Sequence, residues 1–558
     1  MTEEEINKAV AAATNLQRAG RLAEAAATLE RVLAAAPRHA HALNGLGTVA
    51  LQSGRYQEAA TYFHQAHLAD PMVPGFLMNL GTALLRQRRF DDAAQAYRQM
   101  LRQSPQDATA LSNLAVVLAE TGKMPEALEF CRRAVAIDPT LVSAYLNLGT
   151  ILRKQGDHSQ AADAFRKALE LAPGRPDLLT HLGLCLARMG QTEEAIALHR
   201  QAIEAAPNFA GAFNNLGICL HDALRISEAI AVYRQGLAAV PDDVNLHMNL
   251  GFSLLLDGQW EQGFAEYEWR MRNPELYSPQ FLRRRWDGSD PSGKTILLHA
   301  EQGIGDTFHV VRYAKLLADR GAHVVVETQR EAVEVVRRAP GVEHVIAQGE
   351  ALPPFDFQFP LLSLLFAFNT RLDSLPATIP YLSADPHRQQ AWAERFQQYG
   401  AGTKIGLVWA GSAQNRTDSQ RSIALATFAP LAAIKGIRWF SLQKGAAAIQ
   451  VFSPPAGLEI VDLAPFLNSF DDTAAAIANL DLLISVDTAV VHLAGAMGRP
   501  VWTLLQFAPD WRWLLNRKDT PWYPTMKLFR QPKPEDWRSV MTDVTAELDR
   551  WLMRSASS

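Results

Sequence analysis

The sequence predicts two structural parts, an α-solenoid of repeated helix hairpins and then an α/β region of two lobes with parallel sheets. Prolines recur every 34 residues through the first half of the 558-residue chain, which indicates a repeated helical unit. This period ends near residue 290, where short apolar runs begin to alternate with amphipathic stretches. Such alternation is typical of parallel strands joined by crossover helices.

The repeat is defined by residues that keep the same phase. A small residue and a Leu-Gly or Leu-Ala pair recur in each unit and let two helices approach closely, while glycines fall where the first helix must turn. Each proline ends a second helix because it cannot continue the hydrogen-bond ladder. The prolines are Pro37, Pro71, Pro105, Pro139, Pro173, Pro207 and Pro241. The pattern resembles the tetratricopeptide repeat (TPR) and covers roughly residues 6–275 as eight units.

An asparagine precedes most of the Leu-Gly pairs, with Gly45 and His181 as departures. In TPR superhelices the first helix of each unit lines the concave surface, so these amides are predicted to bind the backbone of a protein or peptide acceptor in the groove. The series resembles the asparagine ladder of O-GlcNAc transferase. The alternative is that the amides only bond neighbouring repeats. The predicted acceptor-binding residues are Asn79, Asn113, Asn147, Asn215 and Asn249.

Five short apolar runs predict strands in the second half of the chain. Amphipathic stretches such as Asp306–Arg320 and Leu425–Ile434 lie between several of them, and the polar stretch Asp385–Gly402 marks the junction of two Rossmann-like lobes. Pro274–Pro291 is the expected connection from the repeats. The predicted strands are Thr295–His299, His323–Glu327, Ile405–Trp409, Trp439–Leu442 and Leu482–Val486.

Polar and glycine-containing clusters follow four of these strands. Ligands of open parallel sheets bind at the carboxyl ends of strands, where loops meet helix N-termini, so the clusters predict a phosphate-binding site. A single cluster would be a weak indication, since Asp306 or Asp487 could simply cap the following helix. The clusters begin at Ala300, Ala410, Gln443 and Asp487.

The segment around Gly303–Asp306, together with SVDTAVVHLAGAMGRPVW, resembles the ADP-heptose:lipopolysaccharide heptosyltransferase family, which has the GT-B fold. The tail from Pro509 to Gln531 is similar to that of a bacterial branch in which TPRs precede such a transferase domain; some members glycosylate flagellin. The predicted domains are a TPR superhelix (1–277), a linker (278–293), an acceptor-side lobe (294–400), a nucleotide-sugar lobe (401–535) and a C-terminal helix and tail (536–558).

The resemblance implies a base, a diphosphate cradle and a nucleoside pocket. Asp306 matches the family's catalytic aspartate, with His309 as the weaker substitute and simple helix capping as the alternative role. Lys444 is the best single cation for the leaving group, whereas Trp511–Trp513 could serve as a stacking surface or as core. The predicted donor-binding residues are Gly303, Gly305, Ser412, Asn415, Arg421, Gln443, Lys444, Asp487, Thr488, Ala489 and His492.

Composition restricts the other possibilities. A net charge of −4 gives no reason to expect nucleic acid, and charged residues interrupt every apolar run before membrane-spanning length. The acidic N-terminus and the three cysteines, expected in the core, predict a cytoplasmic protein. We expect an inverting glycosyltransferase that uses a nucleotide-sugar, needs no metal or cofactor and acts on a protein, possibly flagellin. A lipopolysaccharide or lipid-linked acceptor, and a non-catalytic TPR scaffold, are the alternatives.

Overall fold

The computed structural model describes residues 1–273, 284–376, 378–412 and 418–555. The chain divides into two compact units, Met1–Leu216 and Gly217–Ser558. This boundary lies well before residue 277, where the repeat period predicts the end of the solenoid. The final helix pairs therefore belong to the same compact unit as the two sheets.

The first unit is a series of antiparallel helix pairs. Each pair corresponds to one 34-residue repeat, as the spacing of the prolines predicts. The helices are α1 (Glu3–Arg18), α2 (Leu22–Ala35), α3 (Ala40–Gln52), α4 (Tyr56–Ala69), α5 (Pro74–Arg86), α6 (Phe90–Gln103), α7 (Ala108–Glu120), α8 (Met124–Ile137), α9 (Val142–Gln155), α10 (His158–Leu171), α11 (Pro176–Arg188) and α12 (Thr192–Ala205).

Close packing inside each pair depends on the small residue of the Leu-Gly motif. A Cβ atom on Gly81 would lie 2.6 Å from Cε1 of Tyr97, so only glycine admits that ring. The turn after the first helix of a pair needs a left-handed residue, and the predicted glycines supply it, as at Gly54 with φ 74°. Arg88 and Leu224 occupy the same position in two repeats with φ 60° and 59°. The turn geometry is therefore kept even where the glycine is absent.

The last repeats continue as α13 (Ala210–Asp222), α14 (Ile226–Ala239), α15 (Val244–Leu256) and α16 (Trp260–Tyr267). A 3-10 turn, Glu268–Arg272, follows α16 directly. The array thus comprises sixteen α-helices within the described residues, or eight pairs.

The first sheet has four parallel strands, in the order β3-β2-β1-β4. The strands are β1 (Thr295–His299), β2 (His323–Thr328), β3 (His344–Ala347) and β4 (Phe357–Pro360). Its short helices are α17 (Ile304–Val310), α18 (Ala314–Ala318), α19 (Val333–Val336) and α20 (Ser363–Ala367). The central strand β1 runs directly into the loop before α17, which places that loop at the carboxyl edge of the sheet.

The second sheet has six parallel strands, in the order β10-β9-β8-β5-β6-β7. The strands are β5 (Thr403–Val408), β6 (Ile437–Ser441), β7 (Ile460–Asp462), β8 (Leu482–Val486), β9 (Val501–Leu505) and β10 (Met526–Arg530). The helices of this lobe are α21 (Pro386–Gln397), α22 (Asp418–Arg421), α23 (Phe470–Ala478), α24 (Ala489–Ala496) and α25 (Trp537–Ser555). Strands β5 and β8 are the central pair, so the loops that follow them share one edge.

The predicted architecture, a TPR solenoid and then an α/β region with two parallel sheets, is confirmed. All five predicted strands are present, and α21 occupies the predicted junction. The stretch from Leu425 forms a 3-10 helix, Leu425–Ala433, because Pro430 inside it cannot donate an α-helical hydrogen bond. None of the described helices combines the length and apolar character that crossing a membrane requires.

The three cysteines are buried, as expected. Burial raises the pKa of the Cys131 thiol to about 12 and that of Cys185 to about 11, so both are protonated at neutral pH. Buried, protonated thiols of this kind are inert core groups.

Candidate active site

Helices α17 and α24, one from each lobe, meet at their N-terminal ends. Gly305 makes the contact possible, because a Cβ atom there would lie 3.2 Å from Cα of Ala489 and 3.0 Å from Cδ2 of His492. Both distances are shorter than an ordinary van der Waals contact. The carboxyl edges of the two sheets therefore face each other across this pair of helices.

Asp306 lies in the first turn of α17 with both carboxylate oxygens engaged. Oδ2 accepts a hydrogen bond of 3.0 Å from the backbone N–H of Gly303, the residue that caps the helix. Oδ1 accepts from the guanidinium of Arg512 in the other lobe. Burial raises the pKa of Asp306 above its usual range, although the charge of Arg512 opposes the shift. Helix capping, the alternative role predicted for Asp306, thus accounts for one of the two contacts of this carboxylate.

Arg512 lies on the 3-10 turn Trp511–Trp513, which follows β9. It is buried, and besides Asp306 it donates to Oδ1 of Asp510 at 2.8 Å and to Nδ1 of His309 at 3.1 Å. Burial lowers the pKa of Arg512, but Asp510 and Asp306 more than offset this, so the group stays charged. One cation therefore joins two carboxylates and a histidine from both lobes.

His309, the predicted substitute for Asp306, is fully buried and its ring contacts Trp522 edge-on at 4.2 Å between centroids. Burial, followed by the charge of Arg512, holds its pKa well below the ordinary value. Because Nδ1 already accepts from Arg512, the lone pair that a general base would use is occupied. The geometry favours Asp306 over His309 as the base.

On the second lobe, Asp487 and His492 share one cluster with Trp513. Nε1 of Trp513 donates to Oδ2 of Asp487 at 2.7 Å, and the indole stacks on the ring of His492. Nδ1 of His492 is 3.0 Å from the hydroxyl of Tyr523. Burial raises the pKa of Asp487 to about 6, with Asp510 contributing. His492 is buried and its pKa lies well below the ordinary value, so its role here is that of a neutral packing and hydrogen-bonding group.

Thr488 is the residue before α24 and makes no side-chain capping bond, and Ala489 begins the helix. The first N–H groups of a helix have no intrahelical acceptor and attract anions. The N-terminus of α24 therefore presents backbone N–H groups, which are hydrogen-bond donors, at the point where the two lobes meet.

Gly411, in the loop that follows β5, lies close to Arg421 of α22. A Cβ atom on Gly411 would lie 2.8 Å from Nη2 of Arg421, which also bonds Asp418 at 3.2 Å through Nε. The charge of Arg421 opposes the rise in the pKa of Asp487 that burial causes. Ser412 is exposed at the start of this loop, and Asn415 lies outside the described residues.

Gln443 and Lys444 follow β6 but face different surroundings. Lys444 is exposed, and its Nζ donates to the carbonyl of Ala464 at 3.0 Å. The Gln443 amide is buried: Oε1 accepts from the N–H groups of Trp409 and Ala410, and Nε2 donates to the carbonyls of Ala410 and Lys444. All four bonding positions of this amide are used, so Gln443 holds two strand ends together, and its part in binding a donor stays a prediction.

The asparagine series bonds neighbouring repeats wherever the hydrogen bonds are defined. Nδ2 of Asn79 donates to Oδ1 of Asn44 at 2.8 Å, and Nδ2 of Asn147 donates to Oγ of Ser112 at 2.9 Å. Nδ2 of Asn113 lies 3.3 Å from Sδ of Met78. Asn215 and Asn249 are half-buried like the other three. The amides therefore stabilise the stack, and their use by an acceptor stays a prediction.

Sequence reasoning did not identify Asp510 and Arg512 as site residues. The segment Trp511–Trp513 stood out, but its role was open between stacking and core. The available indication was the pairing of an acidic and a basic residue directly after a strand, inside an aromatic segment. Within the described part of the chain, no group of three or more His, Cys, Asp or Glu side chains could hold a metal ion.

Comparison with known proteins agrees with these two parts. Models of the tetratricopeptide repeat match residues 10–71, 78–141, 140–208 and 181–244, and the model of glycosyltransferase family 9 (heptosyltransferase) matches residues 441–527. The chain is 27% identical over 325 residues to protein FlbA of Caulobacter vibrioides. The match covers 53% of each protein, so this chain spans about half the length of that curated relative.

Solved structures resemble the helical part. A thermophilic TPR protein from Thermus thermophilus is 22% identical with a TM-score of 0.30, covering 32% of this chain and 98% of that one. PilF of Pseudomonas aeruginosa is 17% identical with a TM-score of 0.34, covering 38% of this chain and 96% of that one.

Proposed function

We propose that this chain, which combines tetratricopeptide repeats with a glycosyltransferase family 9 domain, transfers a sugar from a nucleotide-sugar to a hydroxyl group of a protein acceptor. The observation that carries the proposal is the meeting of α17 and α24 at Gly305. It brings a half-buried carboxylate, Asp306, near the N-terminus of α24, whose first residue has no side-chain cap before it. A transferase of this kind needs both within reach of one sugar.

The donor diphosphate would bind at the N-terminus of α24, where Thr488 makes no side-chain capping bond and the first backbone N–H groups would bond phosphate oxygens. Arg421 lies in α22, the helix after β5, and Lys444 follows β6, the strand that pairs with β5. These cations and N–H groups supply the positive charge that a departing diphosphate requires. We therefore propose transfer that needs no metal ion.

The acceptor hydroxyl oxygen would attack the anomeric carbon of the sugar on the face opposite the diphosphate. As the new C–O bond forms, the bond from that carbon to the phosphate oxygen breaks and the nucleoside diphosphate leaves with the electron pair. The hydroxyl proton passes to Asp306. A single displacement of this kind inverts the configuration at the anomeric carbon.

Arg512 sets the strength of the proposed base. Burial raises the pKa of Asp306, which strengthens it as a base, while the adjacent guanidinium opposes this rise and favours the ionised form. The opposing effects suit a group that must be ionised at neutral pH and still accept a proton. Arg512 also occupies Oδ1, so the acceptor hydroxyl must approach a carboxylate that is already oriented.

A protein acceptor is supported by the TPR array, since such arrays present extended surfaces to polypeptides. Flagellin is the candidate that the resemblance to the TPR-linked branch implies. A lipopolysaccharide acceptor is the second candidate, and the heptosyltransferase description of the matching family favours it.

The first test is binding of the donor. We expect one class among UDP-, ADP-, GDP- and CMP-sugars to raise the melting temperature of the full chain; a ligand at 100 times its Kd adds about 2.7 kcal/mol. Lys444→Ala should reduce that shift. Lys435→Ala is the matched control, because Lys435 is also exposed and bonds a backbone carbonyl at 3.2 Å, but it precedes β6 instead of following it. Absence of a shift with every donor at millimolar concentration would contradict a donor site.

The second test is transfer, with purified flagellin and lipopolysaccharide as separate acceptors and the bound donor labelled. Asp306→Asn should abolish incorporation while donor binding is kept. Asp319→Asn removes an exposed aspartate of the same lobe that pairs with Lys315, and should leave transfer intact. Label on lipopolysaccharide alone would select the second candidate, and full activity of Asp306→Asn would exclude this residue as the base.

A further inference from the structure

The last repeat contacts the loop directly before α17, the helix that carries the proposed base Asp306. Arg270, on the 3-10 turn after α16, is 2% exposed and grips Glu301 with two hydrogen bonds, of 2.9 Å from Nε and 3.0 Å from Nη2. Its Nη1 donates to Glu268 at 2.6 Å and its Nη2 to Ser363 at 2.8 Å. A two-pronged guanidinium–carboxylate pair fixes both distance and orientation.

A second contact lies one residue further along the same loop. The side chain of Gln302 donates from Nε2 to the hydroxyl of Tyr267, the final residue of α16, which is buried. Gln302 is followed by Gly303, whose N–H bonds Asp306. Two consecutive loop residues are therefore attached to the last repeat directly before the helix that holds Asp306.

Helix α16 of the last repeat also packs against the segment that carries Arg512. The indole of Trp260 stacks on Trp522 at 5.0 Å between centroids, and Phe264 meets Trp511 edge-on at 5.5 Å. All four rings are buried. The last repeat thus contacts the loop before Asp306 in one lobe and Trp511, the neighbour of Arg512, in the other.

The charges around Arg270 are balanced. Arg270 and Arg285 face the carboxylates of Glu268 and Glu301, and Ser363 bridges the group. A neutral, fully bonded cluster tolerates burial, but removal of Arg270 leaves Glu301 as an unpaired buried charge. That carboxylate would turn towards water and pull the loop with it.

We propose that the last tetratricopeptide repeat is a positioning element of the active site, with Arg270 as its anchor and Tyr267 as its second contact. Arg270 touches neither donor nor acceptor in this role; it holds the loop from which Asp306 is presented. The proposal rests on the transferase function proposed above.

The test compares Arg270→Met with Arg272→Met in the full chain. Arg272 lies on the same turn, but its side chain is 62% exposed and its guanidinium rests on the ring of Trp269. We expect Arg270→Met to speed hydrogen exchange in residues 300–306 and leave residues 485–495 unchanged. The kcat should fall about 100-fold, as expected for a misplaced catalytic group, with the donor KM retained. Arg272→Met should change neither the hydrogen exchange of residues 300–306 nor the kcat.

Two milder variants cover the case in which Arg270→Met fails to fold. Arg270→Lys keeps the charge but loses the fork, and Tyr267→Phe removes only the hydroxyl acceptor; both should lower kcat by a smaller factor. Unchanged exchange in 300–306 would overturn the proposal, and so would loss of donor binding in parallel with kcat. Exchange needs no substrate, so a wild-type chain without transferase activity would refute the proposed function and leave this test intact.

Discussion

Gly305→Ala tests the contact between the two lobes. The new Cβ would lie 3.0 Å from Cδ2 of His492 and 3.2 Å from Cα of Ala489, and the second of these atoms belongs to backbone that has no other rotamer to adopt. The helices would have to separate by a few tenths of an ångström. Overpacking of this kind costs about 1–3 kcal/mol.

Helix propensity acts in the opposite direction, because alanine in place of a helical glycine contributes up to about 1 kcal/mol of stability. The net expectation for Gly305→Ala is therefore a loss of up to about 2 kcal/mol. Gly75→Ala is the matched control: Gly75 also lies in the first turn of a helix, and its added Cβ would have no atom within 4 Å.

The measurement is the thermal unfolding of both variants, followed by calorimetry so that separate transitions are resolved. Gly305→Ala should lower the melting temperature of one transition and weaken donor binding, whereas Gly75→Ala should leave its transition unchanged or raise it. A higher melting temperature for Gly305→Ala would refute the close approach of α17 and α24, since propensity alone would then account for the effect.

Three further predictions concern charge and backbone conformation. Burial raises the pKa of Asp487 to about 6, so the ionisation of this carboxyl lowers the stability of the folded state as pH rises towards 6. Asp487→Asn keeps the hydrogen bond from Trp513 and removes this cost. The variant should therefore have a free energy of unfolding about 3 kcal/mol higher than the wild type at pH 8, and roughly half of that difference at pH 5. Urea unfolding at both pH values measures this, and a pH-independent difference would contradict it. Arg512→Gln removes the charge that lowers the pKa of Asp306, so the acidic limb of the pH profile of kcat/KM should move to higher pH. An acidic limb at unchanged pH would show that Arg512 does not control the ionisation of the catalytic base. Arg88→Gly relieves a left-handed backbone with φ 60° and should stabilise the repeats by about 1 kcal/mol in thermal unfolding followed by circular dichroism, whereas destabilisation would show that the side chain outweighs the strain.

Much of the fold was predictable because its determinants are local and repeated. A 34-residue spacing of Pro, Gly and small residues defines each helix pair, and short apolar runs define the central strands. Local patterns failed where one residue overrides them: Pro430 converts an amphipathic stretch into a 3-10 helix. The repeat period also could not show which repeats pack with the sheets, since every unit follows the same pattern.

The candidate site was predictable only in part. Asp306 and Asp487 follow strands of opposite lobes, and the rule that ligands meet strand ends places them together. The partner of Asp306 could not be found that way, because Arg512 is 206 residues away and reaches it through tertiary packing. Gln443 lies at a strand end as predicted, but the sequence could not show that its side-chain amide bonds the backbone there.

Because Arg270 and Tyr267 attach to the loop before α17, the functional boundary between the repeat array and the enzyme lies before the last repeat. An exchange of recognition arms, in evolution or in the laboratory, would have to retain the final helix pair with the enzyme it serves. The repeats of the first compact unit, Met1–Leu216, are not bound by this requirement. The module that such an exchange could move is therefore an array without its last repeat, and the residues that tie this repeat to the enzyme are Tyr267 at the end of α16 and Arg270 on the turn after it.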